Sequence, residues 1–197
     1  QPNGPSIQEC IENAFISLTG TFVRCHPAGR TDAGVHALGQ VVHFRIDDRF
    51  NIPEHKLIKA FNANLPCDVK VTRYALSDKE IHARFNCCSR TYLYNVLCKE
   101  YVLMRNYAWR IFQSIDVDLL IQSAKIFVGK NDFTTFSKKN SNFKSPICHV
   151  KTSEWTHNEN GLLQFRITSD RFIYSMVRSI VGAMIDIARG KRTISEV

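Results

Sequence analysis

Residues 147–190 read ICHVKTSEWTHNENGLLQFRITSDRFIYSMVRSIVGAMIDIARG, and they decide the class of fold. From Ile147 to Thr156 and again from Leu162 to Thr168, apolar and polar residues alternate with the period of a strand that buries one face. Asn160-Gly161 between them reads as a hairpin turn, because both residues tolerate the positive φ that a tight turn demands. The period then changes. From Arg171 to Ala188, the residues Phe172, Ile173, Met176, Val177, Ile180, Val181, Met184 and Ile185 form an apolar stripe, which predicts a long helix stopped at Gly190. A one-sided hairpin followed by a one-sided helix predicts a helix layered on an antiparallel sheet.

Working outward, the same plan recurs. Ahead of the hairpin lie a strand-like segment near Ala108 to Phe112 and a helical one from Val117 to Val128, stopped at Gly129. In the first half, Ser6-Ile7-Gln8-Glu9 is a capping box, followed by Ile11, Ala14, Phe15 and Leu18 at helical spacing and a stop at Gly20. Thr21 to Cys25 and Gln40 to Ile46 look like strands, the second with Val42, Phe44 and Ile46 on one face. A helix after Pro53 turns Leu57, Ile58 and Phe61 inward, and Val69 to Leu76 and Thr91 to Leu97 are strand-like. Residues 1–98 and 99–197 therefore read as two halves of an α+β chain, each a split βαβ (ferredoxin-like) unit with helices on one face of an antiparallel sheet. Two such sheets could merge into one floor with a cleft between the halves.

Between the first two strands lies Gly29-Arg30-Thr31-Asp32-Ala33-Gly34-Val35-His36-Ala37. Two glycines permit close approach of a ligand or a second backbone, and Arg30 can hold Asp32 as an anion or grip a phosphate. The segment matches neither a P-loop nor a dinucleotide fingerprint. One reading is a reactive loop around a catalytic Asp32; the other is a surface turn in which Asp32 caps the next segment of chain.

GRTDAGVHALGQVVHF, from Gly29 to Phe44, resembles the active-site segment of the tRNA pseudouridine synthase A family. Further resemblances occur in the same order: Asn62-Ala63-Asn64-Leu65-Pro66, His82-Ala83-Arg84-Phe85, Arg90-Thr91-Tyr92-Leu93-Tyr94, Asp132-Phe133-Thr134-Thr135-Phe136 and Met176-Val177-Arg178. The resemblance implies an α+β protein of two related halves with an active-site cleft at their junction, a homodimer, and a tRNA substrate modified in the anticodon stem and loop. It places the nucleophilic aspartate at Asp32 and an active-site aromatic at Tyr92. It pairs Arg178 with Asp32, and it sets Arg30 against the displaced base or the phosphates beside it. Members of the family begin with a strand bearing a Gly and Trp motif and continue past the long helix to a final strand. Neither lies in these 197 residues, so a piece of a longer enzyme is expected.

Composition fits a partner of negative charge. With 26 Lys+Arg against 18 Asp+Glu, the chain carries a formal net charge of +8, which draws it to polyanions such as RNA. Lys138, Lys139 and Lys144, in a polar stretch from Ser137 to Ser145, are either phosphate contacts or a solvated loop. Seven cysteines without C-x-x-C spacing support neither a disulfide framework nor a zinc site, and His36, His43 and His82 show no ligand spacing. No apolar run approaches the ~20 residues that span a bilayer, and no signal peptide is visible. A cytoplasmic protein with reduced thiols and no metal is expected.

Converting uridine to pseudouridine breaks an N-glycosidic bond, turns the base and rejoins it through carbon, so no cofactor, metal or group donor is required. A carboxylate can start it at the sugar carbon, at the pyrimidine ring or by assisting proton removal, which leaves Asp32 as nucleophile or base. The base must leave its stack and meet a flat receiver, for which Tyr92 is the candidate. Tyr92 and Tyr94 share one face of their strand, where an aromatic also serves as core. Arg178, within an apolar helix, either snorkels outward or meets a carboxylate. A non-catalytic RNA-binding module of the same fold, and a pseudouridine synthase acting on another RNA, are the alternatives.

Overall fold

Ser6 starts the first helix, α1 (Ile7–Thr19). Its Oγ accepts the Glu9 N–H at 3.1 Å, and the Glu9 carboxylate accepts the Ser6 N–H at 3.3 Å, so two donors that a helix start leaves open are satisfied. The helix stops where expected, at Gly20 with φ 70°. A computed structural model describes residues 4–46, 52–77, 79–138, 145–158 and 161–197, and divides the chain into two compact units, Gln1–Cys87 and Cys88–Val197.

In the first unit, α1 is followed by β1 (His26–Pro27) and β2 (Val42–His43), an antiparallel ladder of two residues a side, and by α2 (Glu54–Ala63). Ala14 and Phe15 of α1 bury against Leu57 and Phe61 of α2, and Phe44 stacks on Phe15 at 4.9 Å, so Phe44 turns inward as predicted, while Ile46 of the same predicted face is exposed. The expected strands at Thr21 to Cys25 and Gln40 to Ile46 shrink to this short ladder. The reason is that side chains occupy the backbone groups a neighbouring strand would take. Glu12 Oε1 accepts the Cys25 N–H at 3.0 Å and Gln8 Nε2 donates to the Cys25 carbonyl at 3.1 Å. Val69 to Leu76 likewise carries no ladder: Asn62 Oδ1 accepts the Val71 N–H at 2.7 Å and its Nδ2 donates to the Val71 carbonyl at 2.9 Å. The amide of Asn62 acts as a one-residue strand.

The second unit holds a five-stranded sheet of β3 (Arg90–Leu97), β4 (Trp109–Arg110), β5 (Gly129–Asp132), β6 (Ile147–His157) and β7 (Leu162–Ser169), in the order β4-β3-β7-β6-β5. All pairs are antiparallel except β3 with β4, which makes the sheet mixed where a wholly antiparallel one was expected. β6 and β7 are the hairpin read from the sequence. Asn160 lies outside the described residues, and Gly161 carries the positive φ of the turn, 75°. On the sheet pack α3 (Val117–Ala124), extended by a 3-10 turn over Lys125–Phe127, and α4 (Met176–Ala188). Ile180, Val181, Met184 and Ile185 are fully buried, each contributing about 1.5–3 kcal/mol of transfer free energy. They meet Val150, Trp155, Phe165 and Ile167 of the hairpin, and Trp155 Nε1 points at Met184 Sδ, 3.3 Å away. The chain is thus α+β, as expected.

α4 begins five residues later than the Arg171 start read from the sequence. Ser175 takes a left-handed conformation, φ 67°, which a continuing right-handed helix cannot contain, so Phe172 and Ile173 reach the core from the connection before it.

Candidate active site

The segment carrying Asp32 is a loop closed tightly at its base and exposed along its length. β1 and β2 pair His26 with His43 and Pro27 with Val42, the Ala28 N–H donates to the Val41 carbonyl at 2.8 Å, and Gln40 Nε2 donates to the Gly29 carbonyl at 2.8 Å. Every residue from Arg30 to Val41 is exposed, Leu38 by 91%. At the tip, the Val35 N–H donates to the Asp32 carbonyl at 3.2 Å, a turn whose third residue, Gly34, has φ 82°. Nothing stands within 4 Å of where a Cβ on Gly34 would lie, so backbone conformation, and not lack of room, calls for glycine there. Asp32 and Arg30 therefore project from a short loop on a fixed stem.

At that stem three imidazoles touch, two of them on the stem strands themselves. His26 stacks on His43 at 5.0 Å, and His82 lies 4.7 Å from His43 and 5.9 Å from His26. His43 Nδ1 accepts the Ala83 N–H at 3.1 Å, which requires that nitrogen to be unprotonated. Burial, and then the charges of His82, His26 and Arg45, push the His43 imidazole below its ordinary pKa, so it stays neutral where it serves as an acceptor. His43 and His82 are here packing and positioning groups, and no cluster of His, Cys, Asp or Glu suited to a metal occurs among the described residues. None of the seven cysteines is joined in a disulfide, and burial is the main cause that raises the Cys25 thiol to about 12 and the Cys148 thiol to about 11.

In the second unit, Tyr92 sits half-buried on β3, its ring edge-on to Phe172 at 4.9 Å. Tyr94, two residues along on the same face, packs on the same core; burial pushes its phenol up, and the Arg178 guanidinium works against that shift. Arg178 is exposed on the first turn of α4, and its Nη2 donates to Ser175 Oγ at 3.1 Å. Sequence reasoning passed over Ser175, because no property of a serine foretells a left-handed backbone. Strain of that kind collects where a side chain has to be aimed. Lys138 is exposed, with its Nζ 5.4 Å above the Tyr174 ring and its N–H on the Tyr174 carbonyl. Lys139 and Lys144 lie outside the described residues. Asp132, in the Asp132-Phe133-Thr134 segment, accepts both the N–H and the Oγ1 hydroxyl of Thr134, at 2.7 and 2.6 Å. These bonds hold its carboxyl below the usual range and close a local turn onto the residue two positions on.

Comparison with known proteins agrees with the segments quoted from the sequence. A family model described as tRNA pseudouridine synthase matches residues 123–197, which include α4 and Arg178. The tRNA pseudouridine synthase A of Bacteroides thetaiotaomicron is 38% identical over 98% of this chain and 72% of its own length. The protein of that name from Bacteroides fragilis is 35% identical over 100% and 77%, and that of Bacillus sp. strain KSM-64 is 34% identical over 98% and 78%. Identity at this level across both units leaves one assignment: the chain belongs to the tRNA pseudouridine synthase A family, a family of isomerases.

Proposed function

We propose that the chain isomerises uridine to pseudouridine in the anticodon stem and loop of tRNA, acting in the cytoplasm as a homodimer. The observation that carries this reading is the likeness to tRNA pseudouridine synthase A over 98% of the chain, together with an aspartate at the tip of an exposed, stem-closed loop. In the reaction the C–N glycosidic bond breaks and a C–C bond forms, the ring carbon gives up its proton and the freed ring nitrogen takes one up, so atoms balance with no net redox change. Asp32 acts as nucleophile or base, Tyr92 receives the extruded base, and Arg178 pairs with the Asp32 carboxylate. Arg30 contacts the displaced base or its neighbouring phosphates, and Lys138, Lys139 and Lys144 contact phosphates further along.

Incubating the chain with unmodified tRNA transcripts and mapping pseudouridine by carbodiimide labelling tests this directly. The expected label falls in the anticodon stem and loop. Asp32→Asn keeps shape and loses charge, so it should bind the transcript with unchanged affinity and drop product to background, a loss of at least about a thousand-fold. Binding without product by the parent chain would leave an RNA-binding module, and label only in another RNA would replace the substrate.

A further inference from the structure

The turn His82–Asn86 in the first unit spends four of its five backbone donors internally. The Phe85 and Asn86 N–H groups donate to the His82 carbonyl at 3.1 and 3.0 Å, the Arg84 N–H to His82 Nδ1 at 3.2 Å, and the His82 N–H to Asn86 Oδ1 at 2.8 Å. The Ala83 N–H ties the turn to His43 of β2. On this rigid turn Phe85 is 76% exposed, yet it is not a stray apolar side chain. Its ring lies 4.3 Å from the His82 ring, His82 lies 4.7 Å from His43, and His43 stacks on His26. Four rings thus run in contact from the stem of the Asp32 loop to the solvent, and Phe85 is the outermost. The Arg84 guanidinium stands 5.8 Å from its centroid.

An aromatic ring backed by a second ring, flanked by a cation and held by a turn that cannot fold it away, accepts one kind of ligand best: another flat π-surface attached to an anion. In a chain of net charge +8, that ligand is a nucleobase on its phosphate backbone. We propose that Phe85 is a stacking platform for an RNA base beside the target uridine, anchored through the imidazole column to the stem of the Asp32 loop. The inference rests on the proposed function for its substrate. Stacking on Phe85 holds the strand next to the catalytic loop without reading its sequence, since every base offers a π-face.

The test is the dissociation constant of the full chain for an unmodified tRNA transcript, measured by filter binding over a series of salt concentrations. Phe85→Leu keeps an apolar side chain of similar size and removes the π-face, so affinity should fall about ten-fold, within the range of one base–aromatic stack. Phe85→Trp should restore it. The slope of log Kd against log salt should not change in Phe85→Leu, because no phosphate contact is removed, whereas Arg84→Gln should flatten it. Unchanged affinity in Phe85→Leu, or no recovery in Phe85→Trp, overturns the platform. The two readings fail separately: product from the parent with normal binding by Phe85→Leu removes the platform alone, and a Phe85-dependent affinity without product removes the catalytic reading alone. A parent chain that does not bind the transcript sinks both.

Discussion

Arg178 and Ser175 illustrate how one residue's backbone aims another's side chain. A left-handed serine costs about 1–2 kcal/mol, and at Ser175 it places Oγ under the Arg178 guanidinium at 3.1 Å. Ser175→Gly should therefore raise stability by roughly 1 kcal/mol while loosening Arg178, read as a higher thermal midpoint with slower single-turnover chemistry. Arg178→Met should leave stability within about 0.5 kcal/mol of the parent, since the side chain is exposed, and yet cut turnover sharply if it partners Asp32. Arg178→Lys keeps the charge and loses the planar fork, so it should recover only part of the activity. Full activity in Arg178→Met would make this a surface arginine and end the pairing. From sequence, an arginine in an apolar stripe could be read either way; what settles its exposure is the helix phase, which turns Ile180 and Val181 to the core and residue 178 away from it.

At the scale of elements, Asp170 joins three segments just beyond β7. One carboxylate oxygen accepts the His149 N–H of β6 at 2.8 Å, the Arg171 N–H at 2.7 Å and the Ser169 hydroxyl at 3.2 Å, and its carbonyl accepts Arg90 Nη1 of β3 at 3.2 Å. Burial pushes this carboxyl up, and the bonds to His149, Arg171 and Ser169 outweigh it, so the net shift is downward. Asp170→Ala leaves two amides without their acceptor and should cost about 2–3 kcal/mol in denaturant unfolding. A depressed folded pKa contributes stability that is present above the ordinary carboxylate value and lost as pH falls through the folded one. Asp170→Asn should accordingly flatten the acid limb of the stability curve. An acid limb unchanged in Asp170→Asn would show that other carboxylates govern it. The same scale shows where sequence pattern ran short. The alternation of Val23 with Cys25 and of Val69 with Val71 reports which side chains are shielded, whereas Glu12, Gln8 and Asn62, elsewhere in the sequence, decide that their backbone groups bond to side chains.

For the whole molecule, a net charge of +8 without an evident base-reading motif implies a grip mainly on phosphates. Affinity for tRNA should fall at least about ten-fold between roughly 50 and 200 mM salt, and Lys138→Ala should lower both affinity and slope without changing chemistry at saturation. A flat salt dependence would contradict electrostatic capture. No helix among the described residues is long and apolar enough to cross a membrane, which matches the absence of a long apolar run in the sequence.

What the amino-acid sequence determined by itself is whatever is encoded over a few neighbouring residues: the Ser6 capping box and the Gly20 stop, the β6–β7 hairpin, the apolar stripe of α4, and the family-bearing segment around Asp32. These are local because a cap, a turn or a helical stripe is satisfied by residues within a turn or two of itself. Only the tertiary structure decided that β1 and β2 are two residues long, that β4 runs parallel to β3, that Ser175 is left-handed, and that His26, His43, His82 and Phe85 form one column. For the two ladders, and for the contact of His82 with His43 that joins the column to the stem, the deciding partner lies far along the chain, and a hydrogen bond or ring contact between distant residues leaves no period in the sequence.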